Sequence, residues 1–61
     1  MLLIPNHLCE AYLHIITQGT ETYTSQDGLT QVYTLPNGRS YRLDAYTKDT
    51  LVILFRITCL K

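Results

Sequence analysis

Residues 51–60 carry the densest run of apolar side chains in the chain, and their types predict a β-strand. The run reads Leu-Val-Ile-Leu-Phe-Arg-Ile-Thr-Cys-Leu, in which β-branched and aromatic residues dominate. A membrane span needs about 20 apolar residues, so this shorter run with Arg56 inside it does not predict one. Both faces of the strand are largely apolar, and it therefore needs a packing partner on each side.

Near the amino end, apolar residues recur with helical spacing from His7 to Gln18. The apolar positions of this segment are Leu8, Cys9, Tyr12, Leu13, Ile15 and Ile16. Asn6 is suited to cap the helix at its start, and Gly19 is suited to end it in a left-handed conformation. The pattern predicts one amphipathic helix of about three turns. Residues 2–4, which precede it, are either a short edge strand or an apolar lead-in.

After the helix the period of the apolar positions changes to two, which is typical of strands. Three strands are predicted at residues 20–26, 29–35 and 39–46, ahead of the strand at 51–60. Asp27-Gly28 and Asn37-Gly38 predict hairpin turns, and the second is the stronger signal because Asn-Gly readily takes the two positive φ values of a type I′ turn. The predicted fold is α+β, a single domain over residues 1–61 with one N-terminal helix packed on a four-stranded antiparallel β-meander.

The turns also predict the register of the strands, and the register predicts which side chains share a face. Two-residue loops would pair Tyr23 with Val32 and Val32 with Leu43, and a three-residue loop at 47–49 would pair Leu43 with Ile53. The predicted helix-covered face consists of Tyr23, Val32, Tyr41, Leu43, Ala45, Leu51, Ile53, Phe55 and Ile57. A slip of one residue at the last turn would bury Arg56, and we prefer the first register for that reason.

No second helix is available for the opposite face, whose composition resembles that of a protein interface. The predicted protein-binding residues on it are Tyr33, Leu35, Arg42, Tyr46, Val52, Leu54 and Arg56. Tyr and Arg are favoured anchors of protein interfaces. The alternative is that these residues belong to the apolar surface that every small protein exposes. Their contiguity on adjacent strands favours a binding face.

The charges of the chain balance, with 5 Lys and Arg against 5 Asp and Glu. Because domains that bind nucleic acid are normally basic, the balance argues against nucleic acid and against an acidic membrane surface as partners. Binding of single-stranded nucleic acid by the Tyr and Arg side chains of the sheet stays an alternative. A net charge of zero gives weak colloidal repulsion, so we also expect a protein partner or a homodimer.

No group of residues has the spacing of a catalytic or metal site. His7, Glu10 and His14 share one helical face, but the histidines are about two turns apart, roughly 10 Å, which is too far for one tetrahedral ion. Cys9 and Cys59 lie at apolar positions, which favours buried reduced thiols over a disulfide or a nucleophile. We therefore expect no enzyme activity, no metal and no cofactor.

The amino-terminal run stops at Pro5 and has no basic start, so we predict no signal peptide and a cytoplasmic location. Compact, neutral domains of this length without motifs are typical of the inhibitors that phages and mobile elements direct against host proteins, including anti-CRISPR and anti-restriction proteins. The sequence therefore leads to the hypothesis of a small non-enzymatic protein-binding module that masks a surface of a host protein. A single-stranded nucleic-acid binder and a small structural homodimer are the alternatives.

Overall fold

A computed structural model describes residues 1–61 and shows one helix on one face of a five-stranded sheet. The elements are β1 (Leu2–Leu3), α1 (Asn6–Gln18), β2 (Thr20–Thr24), β3 (Thr30–Thr34), β4 (Ser40–Lys48) and β5 (Leu51–Cys59). The strands are arranged in the order β1-β5-β4-β3-β2. The antiparallel meander of β2 to β5 is as predicted, but the prediction of four strands was wrong, because β1 adds a fifth strand parallel to β5.

The short strand β1 pairs Leu2 with Val52 and Leu3 with Ile53. Pro5 follows it and occupies the cap position of α1, where its carbonyl accepts a hydrogen bond of 2.9 Å from the amide of Leu8. The predicted cap at Asn6 was wrong, since Asn6 is the first helical residue and no side chain caps the helix. Proline fits this position because it has no amide hydrogen that would need a hydrogen-bond partner there.

Gly19 ends the helix in an extended conformation, with φ −92° and ψ 165°, and the predicted left-handed cap was wrong. A Cβ atom at this position would lie 2.6 Å from the carbonyl oxygen of Ile15 and 3.2 Å from the Cδ2 atom of Leu35. Glycine is therefore required by the close approach of this residue to the last turn of the helix, and the sheet adds a tight contact at Leu35. The chain passes from Gln18 to β2 with only this residue between them.

The turn between β3 and β4 is longer than predicted. Asn37 has no positive φ, whereas Gly38 has φ 89°, so the turn is not of type I′. Leu35 pairs with Arg39 through an amide-to-carbonyl bond of 2.8 Å, which makes a three-residue loop with glycine at the left-handed position. Pro36 favours this type I geometry. The register moves by one residue from the predicted one, and Thr34 pairs with Ser40.

The last hairpin also differs from the prediction. Its shorter loop changes the register of β5, so several side chains lie on the opposite face from the predicted one. The loop consists of Asp49 and Thr50, with φ 55° at Asp49, so Lys48 pairs with Leu51. A β-bulge follows at Phe55, because Ala45 pairs with Leu54 while Asp44 pairs with Arg56. The predicted pairing of Leu43 with Ile53 was therefore wrong. The pairing of Tyr23 with Val32 at the first hairpin is confirmed.

The core lies between α1 and the sheet. Its buried members are Ile15 of the helix with Leu43 and Leu54 of the sheet, and Leu35 is buried at the end of β3. Tyr33, Leu35, Val52 and Leu54, predicted on the free face, lie on the helix side. Conversely, Tyr23, Val32, Leu51, Ile53 and Phe55, predicted under the helix, lie on the other side by their strand pairings.

Candidate binding face

The side of the sheet opposite α1 has no covering layer, and we call it the open face. On β4, Leu43 points toward the helix, so its neighbours Arg42 and Asp44 point to the open face. Cross-strand partners share a face. The principal open-face residues are Tyr23, Val32, Arg42, Asp44, Tyr46, Ile53, Phe55 and Arg56. The predicted site residues Arg42, Tyr46 and Arg56 therefore lie together on it, and their binding role stays a prediction.

Asp44 lies at the centre of the open face and is the one buried charged residue, with 4% of its surface exposed. Its Oδ1 atom accepts hydrogen bonds from Arg42 Nε at 3.0 Å and from Thr30 Oγ1 at 3.3 Å. Its Oδ2 atom accepts a hydrogen bond from Arg56 Nε at 3.2 Å. Both carboxylate oxygens are thus satisfied, as a buried ion requires. We call Arg42, Asp44 and Arg56 the arginine cluster.

The bulge at Phe55 is what brings Arg56 to this cluster. Because Leu54 points toward the helix, strict alternation would place Phe55 on the open face and direct Arg56 into the core. The extra residue of the bulge shifts the alternation, so Arg56 faces Asp44 and Ile57 packs against the core. In the observed register the charge of Arg56 is not buried, since its side chain is 59% exposed.

Two opposing effects act on the Asp44 carboxyl. Burial, the larger single influence, favours its neutral form, but the hydrogen bonds and positive charges of Arg42 and Arg56 together outweigh burial. As a result the pKa of Asp44 is lowered, and the group is ionised at neutral pH. Two guanidinium groups and one carboxylate leave the arginine cluster with one positive charge in excess.

Aromatic rings flank the arginine cluster. The ring centroids of Tyr46 and Phe55 are 5.7 Å apart, with an angle of 56° between the ring planes. Tyr46 is 44% exposed and Phe55 is 48% exposed. The Arg56 guanidinium carbon lies 5.8 Å from the centre of the Phe55 ring, which is within cation–π range. On the far side, exposed Tyr23 pairs with Val32. Exposed aromatic side chains therefore lie on both sides of the positive centre.

Sequence reasoning missed Asp44 and Phe55 as members of this site. The signal for Asp44 was present, because residues 42 and 44 of one strand share a face and carry opposite charges. For Phe55 there was no comparable signal, since its side of the sheet depends on the register of β5, which the length of the last turn decides. The side of the ring follows from its place next to core-facing Leu54 and from its contact with Tyr46.

The helix side of the sheet holds the remaining predicted site residues. Val52 and Leu54 line a pocket of about 340 Å³ beside the helix, together with Leu2, Tyr12 and Leu29. The two other residues, Tyr33 and Leu35, lie near the end of α1. Burial there, with a contribution from the charge of Glu21, raises the pKa of Tyr33. These four residues do not join the open face.

Neither the histidines nor the cysteines form a chemical site. His7, Glu10 and His14 line a shallow surface of the helix, and no group of three His, Cys, Asp or Glu residues is placed to hold a metal ion. Cys9 and Cys59 are both free. Burial of Cys59 was predicted wrongly, because it lies at the exposed end of β5 and its Sγ atom contacts the carbonyl oxygen of Lys61 at 3.1 Å.

Comparison of the chain with protein-family models, with curated proteins and with solved structures yields no match. The helix α1 does not have the length and hydrophobicity that crossing a membrane requires.

Proposed function

We propose that this chain is a small non-enzymatic protein-binding module whose open face contacts the partner. The observation that carries the proposal is the uncovered arginine cluster with the exposed rings of Tyr46 and Phe55 beside it. Arg and aromatic residues are enriched at the energetic centres of protein interfaces. Here the two arginines and the two rings are contiguous, and Asp44 already holds both arginines in place.

The size of the face supports the same proposal. The molecule measures 36 × 26 × 16 Å along its principal axes. A protein interface of standard size takes about 800 Å² from each partner, which is comparable with the area of one such face. One partner could therefore cover the arginine cluster and both aromatic flanks at the same time.

We infer that the module acts by occupying a surface of its partner, as phage or mobile-element inhibitors of the anti-CRISPR or anti-restriction type do to host proteins. The support for this role is the type of protein, a compact neutral domain with one uncovered sheet face. Free Cys9 and Cys59 suit a reducing compartment, so we place the protein in the cytoplasm.

Binding of single-stranded nucleic acid is the second candidate. It is favoured by three aromatic residues, Tyr23, Tyr46 and Phe55, on the same face as Arg42 and Arg56. The charge of the face argues against it, because nucleic-acid grooves carry a row of cations along the backbone path. On the open face the cations are Arg42, Arg56 and Lys48, and Asp44 offsets one of them.

Selection from a random peptide display library tests the proposal without knowledge of the natural partner. Selected peptides should shift the NMR amide signals of β4 and β5 that surround the arginine cluster. The matched variants are Phe55→Ser on the open face and Leu13→Ser on the helix, since these residues are 48% and 51% exposed. We expect Phe55→Ser to weaken peptide binding about tenfold, or about 1.4 kcal/mol, and Leu13→Ser to leave it unchanged.

The proposed binding face would be contradicted if the selected peptides bind the helix. In that case their affinity would fall in Leu13→Ser and not in Phe55→Ser. The nucleic-acid candidate is tested in parallel with a labelled oligothymidylate of about 16 nucleotides. Salt-dependent binding of this probe that is lost in Arg56→Gln would favour the second candidate over the first.

A further inference from the structure

We infer that the arginine cluster is a carboxylate-binding site, which takes an Asp or Glu side chain of the partner protein that lies next to an apolar side chain. The inference deepens the proposed function and rests on it, because it names the partner chemistry that the centre of the open face recognises. It is carried by the unused donors of the two arginines, by the charge of the cluster and by its apolar surroundings.

Most of the hydrogen-bond donors of the two arginines are free. A guanidinium group has five N–H donors, and Asp44 engages only the Nε–H of Arg42 and of Arg56. The terminal nitrogens of both groups donate to no other residue of the chain, and the side chains are 47% and 59% exposed. The terminal donors of both groups are thus unused within the chain.

Asp44 also orders these donors before any partner binds. Held at 3.0 and 3.2 Å from the two Nε atoms, its carboxylate anchors both guanidinium groups, and Phe55 packs against Arg56 from the side. Ordering a long side chain on binding has an entropic cost, and part of this cost is met during folding here. A planar guanidinium held in this way suits the fork geometry of a carboxylate.

The distribution of charge favours a single anion. The cluster has one positive charge in excess, and one carboxylate would neutralise it. The other acidic residues lie elsewhere: Glu10 on the helix, Glu21 opposite Tyr33 on the helix side, Asp27 in the loop before β3 and Asp49 in the last turn. A second copy of this chain would bring two positive clusters together, so charge complementarity favours a foreign acidic partner.

The surroundings of the cluster favour a protein carboxylate over a nucleic-acid backbone. Exposed apolar surface from Phe55 and Tyr46 lies beside the arginines, and covering it would exclude water and strengthen the ionic contact. A nucleic-acid strand presents a charge about every 3.4 Å, and its recognition needs cations along a path. The open face offers one positive centre with apolar flanks, which matches an acidic side chain beside an aliphatic or aromatic one.

The test uses hydrocinnamate, a carboxylate attached to a phenyl group, as a minimal probe of this chemistry. Titration is followed by NMR at the side-chain Nε–H signals of Arg42, Arg56 and Arg39. Arg39 is the matched control, because it is exposed and lies in the turn after β3, outside the cluster. Phenylpropanol has the same shape without the charge, and inorganic phosphate supplies the competing anion.

We expect hydrocinnamate to shift the signals of Arg42 and Arg56 in a saturable manner, and phenylpropanol to leave them in place. The affinity should fall about tenfold in Arg56→Gln, or about 1.4 kcal/mol, and stay unchanged in Arg39→Gln. Folding of each variant is checked by its amide spectrum. Absence of a saturable shift, or equal binding of phenylpropanol, would overturn the carboxylate site.

Tighter binding of phosphate than of hydrocinnamate, together with binding of the oligothymidylate at the same residues, would overturn it in favour of a nucleic-acid partner. Failure of this inference is distinguishable from failure of the proposed function. If selected peptides bind the open face but lack Asp and Glu, the binding module stands and the carboxylate site falls. If selected peptides bind elsewhere, both fall.

Discussion

Asp44→Asn tests the arginine cluster, because it removes one charge from the centre of the open face at almost constant volume. In the folded protein the carboxylate is 4% exposed and accepts hydrogen bonds from Arg42, Arg56 and Thr30. Hydrogen bonds to charged groups contribute about 1.5–3 kcal/mol each in favourable cases. The two guanidinium groups are about half exposed, so solvent screening reduces their contribution. We expect a loss of about 2 kcal/mol for the pair.

This loss is large for so small a domain. Only 5 of 61 residues are buried, and a chain of this length has a free energy of unfolding of roughly 3–9 kcal/mol. The assay is urea denaturation followed by circular dichroism. With a slope of about 1 kcal/mol per molar urea, the midpoint should fall by about 2 M. The matched control is Asp49→Asn, which makes the same charge change in an exposed turn, where asparagine also tolerates the φ of 55°.

The free energy of unfolding should also depend on pH through Asp44. The pKa of Asp44 is lowered in the folded protein, so its contribution is fully present above the unfolded value of about 3.9 and is lost as the pH falls through the folded value. The exposed carboxyl of Asp27 also has a lowered pKa, through its bond to Ser25, but it is present in both proteins and cancels from their difference. The stability difference between wild type and Asp44→Asn should therefore shrink below about pH 4. Equal effects of Asp44→Asn and Asp49→Asn at neutral pH would refute the reasoning.

Four further substitutions test the faces and the turns by the same urea assay. Leu54→Ala should cost about 2–5 kcal/mol and Phe55→Ala less than about 1.5, because adjacent side chains lie on opposite sides of the sheet; equal costs would contradict this placement. Gly38→Ala should cost about 1–2 kcal/mol, since its φ is 89°, and no cost would show that the turn adopts another type. Gly19→Ala should cost at least about 1 kcal/mol, because the new Cβ would stand 2.6 Å from the Ile15 carbonyl oxygen, and a stabilised variant would contradict that close approach.

The elements of the fold were largely predictable because they depend on local patterns. The apolar spacing from His7 to Gln18 predicts the helix within one residue of its observed start, and both Gly-containing hairpins form where they were predicted. For residues 2–4 the sequence does not distinguish an edge strand from an apolar lead-in, because so short a stretch before Pro5 has no periodicity. The pairing of β1 with β5 depends on contacts between opposite ends of the chain.

The faces of the sheet were not predictable by the same reasoning, because they depend on loop lengths to the single residue. Pro36 turns a two-residue loop into a three-residue one, and Asp49 accepts a positive φ that allows a shorter last turn than predicted. Each change moves a register by one or more residues and so exchanges the faces. The bulge at Phe55 then reverses the alternation once more, which places Arg56 beside Asp44. Of the predicted site, Arg42, Tyr46 and Arg56 remain together on the open face.

The solution mass of the isolated chain tests most directly whether the open face is free for a foreign partner. Light scattering across a wide concentration range should give a monomer of 7.0 kDa, because pairing of two open faces would bring two positive clusters together. Phe55→Asp should give the same mass as the wild type. A wild-type dimer that becomes a folded monomer in Phe55→Asp would contradict the account, since the open face would then be satisfied by self-pairing.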